Sequence, residues 1–295
     1  MTNNHNVYLT GLIGRSIGAS RSPAIHSAAA ASLNVTLAYR LVDFETLGWA
    51  DSELPRAVAM LRQLGFAGCN VTFPFKQQAI ALCDSLGREA EMIGAVNSLV
   101  FADGRVHGEN TDWQGFSWML SREFGDIAGT HIAQIGAGGA GSATALALAQ
   151  HNVEQINLFD PERGRAEALI SRLSPFFPAV RFVCAPDAAA AIGGCDGIVN
   201  ATPVGMAAIP GTPFTPKLMA GEQWVADIIY FPLETELLRY ARQNGQRTAN
   251  GVSMVAGQAA AAFQMFTGHT PDRNQMLDRL MNDISKEQTA PGLAA

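Results

Sequence analysis

Two polar blocks carry the residues best suited to chemistry: Asn70-Val71-Thr72-Phe73-Pro74-Phe75-Lys76 and Asn110-Thr111-Asp112. A lysine amine exchanges protons near neutral pH once partial desolvation lowers its pKa, while a nearby carboxylate holds the ammonium and raises that pKa again. Further on, Gly136-Ala137-Gly138-Gly139-Ala140-Gly141 fits G-x-G-x-x-G. It follows the apolar segment 131–135 and opens a run of small residues reaching Gln150. This is the strand–turn–helix context in which such glycines cradle a dinucleotide. The combination predicts an enzyme that moves a proton at one group while a dinucleotide takes or gives a hydride. Taken singly, Lys76 reads as a surface lysine and Asp112 as the N-cap of a helix beginning at Trp113.

Each glycine has a separate task. Gly136 permits the tight turn, Gly138 lets the backbone approach a pyrophosphate, and Gly141 lets the helix pack close to the sheet. Ala137, Gly139 and Ala140 complete the loop, whose free N–H groups and helix dipole favour the anion. Asp160 ends the next predicted strand, where a carboxylate accepts hydrogen bonds from the adenosine ribose hydroxyls. It repels a 2′-phosphate, so NAD is expected rather than NADP. Arg163 and Arg165 argue the other way, since a guanidinium grips a phosphate, although both also fit a solvated helix face.

The 295 residues exceed one typical core and predict two domains. Apolar residues make up 48% and charged residues 16%, an ordinary globular composition. A net charge of −6 offers no basic face for nucleic acid. No apolar run is long enough to span a bilayer, and the polar start Met1–Asn6 lacks the order of a signal peptide, so a cytoplasmic protein is expected. Cys69, Cys83, Cys184 and Cys195 show no two-residue spacing and read as reduced thiols, and the scattered histidines predict no metal site.

Strand and helix patterns alternate throughout. Strands are expected over 7–13, 38–42, 68–72, 131–135, 156–159, 180–183, 197–200 and 224–228, and Asp103-Gly104 predicts a hairpin between 98–101 and 106–108. Helices are expected from Ser22, as cap ahead of Pro23, to about Leu33, and over 53–64, 77–84, 113–123 and from 251 onward. The tail from Lys286 is expected to be disordered. The rhythm predicts an α/β protein of two domains. Residues 1–112 plus 250–295 form an α/β substrate-binding and catalytic domain, and 113–249 form a doubly wound, Rossmann-type parallel-sheet dinucleotide domain, with a cleft between.

Several blocks together resemble the shikimate/quinate dehydrogenase family. They are Ser20-Arg21-Ser22-Pro23, Asn70 to Lys76, Gly94-Ala95-Val96-Asn97, Asn110-Thr111-Asp112, Asn200-Ala201-Thr202-Pro203 and Gln258-Ala259. They keep the family's order and spread over nearly the whole chain. The resemblance implies reversible oxidation of the ring hydroxyl of shikimate or quinate to the 3-dehydro ketone. It makes Lys76 and Asp112 the acid/base pair, Ser20 and Ser22 the carboxylate ligands, and Thr72, Asn97 and Gln258 readers of the ring hydroxyls, with Tyr230 facing the substrate. Thr202, Pro203, Val204, Ile228, Gly251 and Met254 are implied on the coenzyme side, together with Arg163. Ala19, Phe75, Ser98 and Asp160 depart from the NADP-linked biosynthetic pattern and point to an NAD-linked branch acting on quinate, shikimate or a relative such as aminoshikimate. A dehydrogenase of another substrate, such as a folate, and a non-catalytic NAD-binding regulator are the competing readings. The expected partner is a small molecule, and the chain is expected to be a monomer or homodimer.

Overall fold

The computed structural model describes residues 7–289, with side chains to residue 286; the polar start and the last six residues lie outside the described residues. The chain divides into two compact units. One ends at Thr111 and resumes at Ala256, and the other is Asp112–Val255.

The first unit is built on β1 (Val7–Gly14), α1 (Ser22–Ser32), β2 (Thr36–Asp43), α2 (Leu54–Gln63), β3 (Gly68–Val71), β4 (Ser85–Leu86), α3 (Arg88–Ile93), β5 (Ser98–Ala102) and β6 (Arg105–Glu109). Its sheet has the order β2-β1-β3-β5-β6-β4. β1 runs parallel to β2 and β3, β5 is antiparallel to β3 and β6, and β4 is parallel to β6. The β5–β6 hairpin turns at Asp103 (φ 51°) and Gly104 (φ 73°), the paired left-handed conformation of a two-residue turn whose twist matches the strands. Ile13, Val42, Phe44, Leu54, Val58, Leu61, Val71, Phe75, Val96 and Leu99 form one core under this sheet.

The second unit contains α4 (Asp112–Glu123), β7 (His131–Ile135), α5 (Gly139–Gln150), β8 (Gln155–Phe159), α6 (Arg163–Leu173), β9 (Arg181–Cys184), α7 (Ala188–Ile192), β10 (Gly197–Asn200), β11 (Trp224–Asp227), α8 (Glu236–Gln243) and β12 (Thr248–Ala249). The order β12-β11-β10-β7-β8-β9 is parallel throughout. Chain direction across the sheet reverses between β7 and β10. In an open parallel sheet, ligands bind outside the carboxyl ends of the strands at such a switch point. The segments following β7 and β10 are Gly136–Gly141 and Ala201–Val204.

Helix α9 (Val252–Thr267) starts in the second unit and continues into the first, followed by α10 (Arg273–Thr289). In the first unit, Phe266 of α9 lies over β3 so closely that a Cβ on Gly68 would meet its ring at 2.3 Å, and α10 packs on α1. Among the described residues no helix is long and apolar enough to cross a membrane, and no group of three or more His, Cys, Asp and Glu could hold a metal ion.

Three expectations are corrected. Ser22 does not cap α1: the cap position is Arg21, with no side-chain capping bond, and Ser22 and Pro23 lie within the first turn. The helix expected over 77–84 is a short 3-10 turn, Gln78–Leu82. Sheet pairing ends it early, because Asp84 N–H donates to Val106 O at 2.8 Å and Ser85–Leu86 joins β6. The chain at Lys286 is not a tail: α10 runs on to Thr289, with Lys286 in its last turn, where a cation suits the helix dipole.

Candidate active site

Asp43, at the end of β2, shapes the loop that carries the two serines. Its carboxylate accepts the N–H groups of Ser16 (2.8 Å), Ile17 (3.0 Å) and Glu45 (3.1 Å) and the Thr46 hydroxyl (3.2 Å). Burial by itself pushes this carboxyl up, and those donors outweigh it and hold the group below the ordinary range. Ser20 N–H then donates to Ile17 O, and the Ser20 hydroxyl donates to Ser22 Oγ at 3.3 Å.

From Tyr39 a hydrogen-bonded chain crosses the first unit. The Tyr39 phenol donates to Asn70 Oδ1 at 2.9 Å. Asn70 Nδ2 donates to Ser98 Oγ (3.0 Å), and Ser98 Oγ donates to Asn97 Oδ1 (3.1 Å). Asn97 Oδ1 accepts Thr111 N–H at 2.7 Å, and Asn97 Nδ2 donates to Thr111 Oγ1 at 3.0 Å. The next residue is Asp112, buried at the start of α4.

The lysine loop is tied to the same place through its backbone. Thr72 N–H donates to Ile13 O, and Val96 N–H donates to Lys76 O at 2.9 Å. Phe75 is fully buried against Phe44, with ring centroids 4.6 Å apart, so it anchors the loop beneath the half-buried Lys76. Phe75 therefore acts as a core residue.

In the second unit the glycine turn is built from inside. Gly136 has φ 103°, and a Cβ there would stand 2.8 Å from Ala201 O; one on Gly141 would stand 2.4 Å from Gly136 O. Fully buried Gln134 donates to Gly136 O (2.9 Å) and Gly141 O (2.8 Å) and accepts the Thr144 hydroxyl (2.9 Å). At Gly138 and Gly139 an added Cβ would meet nothing within 4 Å, so that side of the loop is open to a bound group. The residues thus fit a pyrophosphate cradled on the N-terminus of α5.

Asp160 follows β8 and is buried. One carboxylate oxygen accepts Ala137 N–H and the other Glu162 N–H, both at 2.9 Å, so it holds the glycine loop. Each oxygen keeps a further lone pair for a ligand hydroxyl. Arg163 is exposed and turned to Glu167 (2.7 Å), and Arg165 pairs with Glu162 (2.8 Å). Thr202 donates its N–H (3.0 Å) and hydroxyl (2.7 Å) to Asn200 Oδ1, and Val204 O accepts Asn200 Nδ2 (3.1 Å); Pro203 between them is exposed. Gly251 packs against Ile228, where a Cβ would meet the carbonyl oxygen at 1.9 Å. Met254 is buried, and Gln258, one helical turn further along α9, is half-buried. Tyr230 is 39% exposed.

Comparison with known proteins identifies the family. Residues 12–99 match the shikimate dehydrogenase substrate binding domain, and residues 251–281 the shikimate 5'-dehydrogenase C-terminal domain. A quinate/shikimate dehydrogenase (NAD(+)) of Corynebacterium efficiens is 40% identical over 276 residues, 92% of this chain and 97% of that one. This chain belongs to the shikimate/quinate dehydrogenase family. A shikimate dehydrogenase (NADP(+)) of Streptomyces avermitilis is 44% identical over 272 residues, 92% of this chain and 94% of that one. The solved quinate dehydrogenase from Corynebacterium glutamicum in complex with NAD superposes with a TM-score of 0.87 at 36% identity, covering 94% of this chain and all of that one. Membership makes this chain a dehydrogenase that works with a nicotinamide dinucleotide.

Several residues that shape this arrangement were not singled out from sequence: Asp43, Tyr39, Gln134 and Asp227. Their common signal is a polar residue inside or ending an apolar strand, since burying such a group is costly unless it is hydrogen-bonded. Gln134 in His131–Ile135 and Asp227 in Trp224–Asp227 carry that signal most plainly.

Proposed function

We propose that this dehydrogenase reversibly oxidises the C3 hydroxyl of shikimate or quinate to the 3-dehydro ketone, with NAD as the preferred coenzyme. Ser20 and Ser22 bind the ring carboxylate. Thr72, Asn97 and Gln258 read the ring hydroxyls, and Tyr230 closes on the substrate. Lys76 takes the proton from the carbinol oxygen during oxidation and returns it to the ketone oxygen during reduction. Asp112 holds the ammonium of Lys76 and shares the substrate hydroxyls. The Gly136–Gly141 loop binds the pyrophosphate and Asp160 the adenosine ribose, with Arg163, Thr202, Pro203, Val204, Ile228, Gly251 and Met254 around the rest of the coenzyme. Bound there, the nicotinamide supplies the hydride acceptor or donor.

The observation that carries this reading is the chain of hydrogen bonds from Tyr39 to Thr111. It runs through Asn97, one of the hydroxyl readers, and ends one residue before Asp112. A site that satisfies hydroxyls by direct hydrogen bonds rejects ligands lacking them, because its own polar groups are then left unpaired. The choice of NAD rests on Asp160, whose charge opposes a 2′-phosphate. Relatives of similar identity are named for either coenzyme.

The test is coenzyme reduction followed at the nicotinamide absorbance, with shikimate, quinate and aminoshikimate offered separately with NAD and NADP. Turnover with shikimate or quinate, and a higher kcat/KM with NAD, are expected. Absence of turnover with every ring acid would overturn the reading, and a higher kcat/KM with NADP would overturn the role given to Asp160.

A further inference from the structure

Asn200 and Asp227 end the neighbouring parallel strands β10 and β11 and are both fully buried. Asn200 Nδ2 donates to Asp227 Oδ1 at 3.0 Å. On one side, Asn200 gathers the turn after β10 by accepting from Thr202 N–H and hydroxyl and donating to Val204 O. On the other, Asp227 gathers the turn after β11: Oδ1 accepts Ile229 N–H at 3.1 Å and Oδ2 accepts the Thr235 hydroxyl at 2.8 Å. Two backbone bonds complete the set, Ile228 N–H to Asn200 O at 3.1 Å and Gly251 N–H to Ile229 O at 2.9 Å. The turn after β10 lies against the glycine loop, with Ala201 O and Thr202 Cγ2 at the place a Cβ of Gly136 would occupy.

We propose that Asp227 is a positioning residue for the coenzyme: through Asn200 and Ile229 it locks the turns after β10 and β11 to each other, so that Thr202, Val204 and Ile228 present one surface beside Gly136. This inference rests on the coenzyme reading given above. A buried carboxylate is a costly way to tie two turns, and its burial pushes the Asp227 pKa up to about 6. Three donors from three segments converge on it, a set that no apolar residue could replace. Asparagine could keep most of it, its oxygen facing Asn200 and Ile229 and its amide donating to Thr235 Oγ1.

The experiment is a titration of NADH fluorescence with the parent protein, Asp227→Ala, Asp227→Asn and Thr235→Val, each held at a temperature where circular dichroism shows it folded. Asp227→Ala is expected to weaken NADH binding by about tenfold or more, since hydrogen bonds to a buried charge are among the stronger ones. Asp227→Asn should restore Kd to within about threefold of the parent, a rescue that lost stability alone would not produce. If Asp227→Ala does not fold, Thr235→Val, which removes the Oδ2 bond together with the cap bond from Leu238 N–H, should weaken binding by about threefold or more. A folded Asp227→Ala, or in its absence a folded Thr235→Val, that binds NADH as the parent does would overturn the proposal. A parent protein that does not bind NADH would instead overturn the coenzyme reading on which it rests.

Discussion

The backbone N–H of Thr111 donates to Asn97 Oδ1 at 2.7 Å, and the side-chain amide of Asn97 donates back to Thr111 Oγ1 at 3.0 Å. Both residues are buried, and this reciprocal pair fixes the backbone one residue ahead of Asp112. Asn97 thus has two tasks in the proposed mechanism, reading a ring hydroxyl and aligning the carboxylate that holds Lys76.

Asn97→Ala leaves buried donors of Thr111 and Ser98 without their acceptor, which costs about 1–3 kcal/mol in urea denaturation. It should lower kcat/KM for the ring acid by about a hundredfold while NADH Kd changes less than about twofold, because neither of its tasks involves the coenzyme. Weaker NADH binding of the same size as the catalytic loss would remove Asn97 from substrate recognition.

Glycine-loop variants separate folding from coenzyme binding. Gly138 has open space where a Cβ would stand, so Gly138→Ala should keep the parent's thermal midpoint while NADH Kd rises by about tenfold, the added methyl occupying room the pyrophosphate needs. Gly141→Ala meets the Gly136 carbonyl at 2.4 Å and should lose both stability and binding. A Gly138→Ala protein with unchanged NADH affinity would place the pyrophosphate elsewhere.

His26 is 1% exposed, tilted against Tyr39 with ring centroids 4.6 Å apart, and its Nδ1 has no hydrogen-bond partner. Burial lowers its pKa to about 3 from an ordinary 6.5. Because the folded-state value is depressed, the unfolded chain takes up the proton first. Neutral His26 therefore leaves stability intact above pH 6.5, and stability falls as pH drops from there toward 3, by up to about 1.4 kcal/mol per unit. Asp227 has the opposite sign, since its raised folded-state pKa adds stability as pH falls through about 6. Urea denaturation of His26→Phe beside the parent isolates the histidine: the difference between them should shift in the variant's favour between pH 7 and pH 5. A constant difference would mean that His26 does not lose its proton-free state only on unfolding.

The long elements were legible because their periodicity and their packing agree. Val7–Gly14 and His131–Ile135 are apolar enough to be interior strands, and Asp103-Gly104 turns as its φ preferences demand. The two-residue strands β4 and β12 were not legible, since a pattern that short has no period and only the neighbouring strand defines it. Helix α8 passed unnoticed although Thr235 caps it by accepting Leu238 N–H and Leu237, Leu238 and Ala241 form its buried face. Lys76 and Asp112 were visible as residue types with chemistry, and Ser20 and Ser22 only through the family resemblance. Tyr39 and Asp227 were not, because their importance lies in what they bond across the sheet, and strand neighbours are remote in sequence. The same limit applies to Phe75, where the sequence shows a substitution in a motif and the fold shows a ring seated on Phe44.

The central claim is that Lys76 moves the proton. Steady-state kinetics of Lys76→Ala with shikimate or quinate and NAD, alongside a binary NADH titration, tests it most directly. A turnover loss of at least about a hundredfold is predicted, with substrate KM changed much less and NADH Kd unchanged. Near-parental turnover in Lys76→Ala would contradict the account.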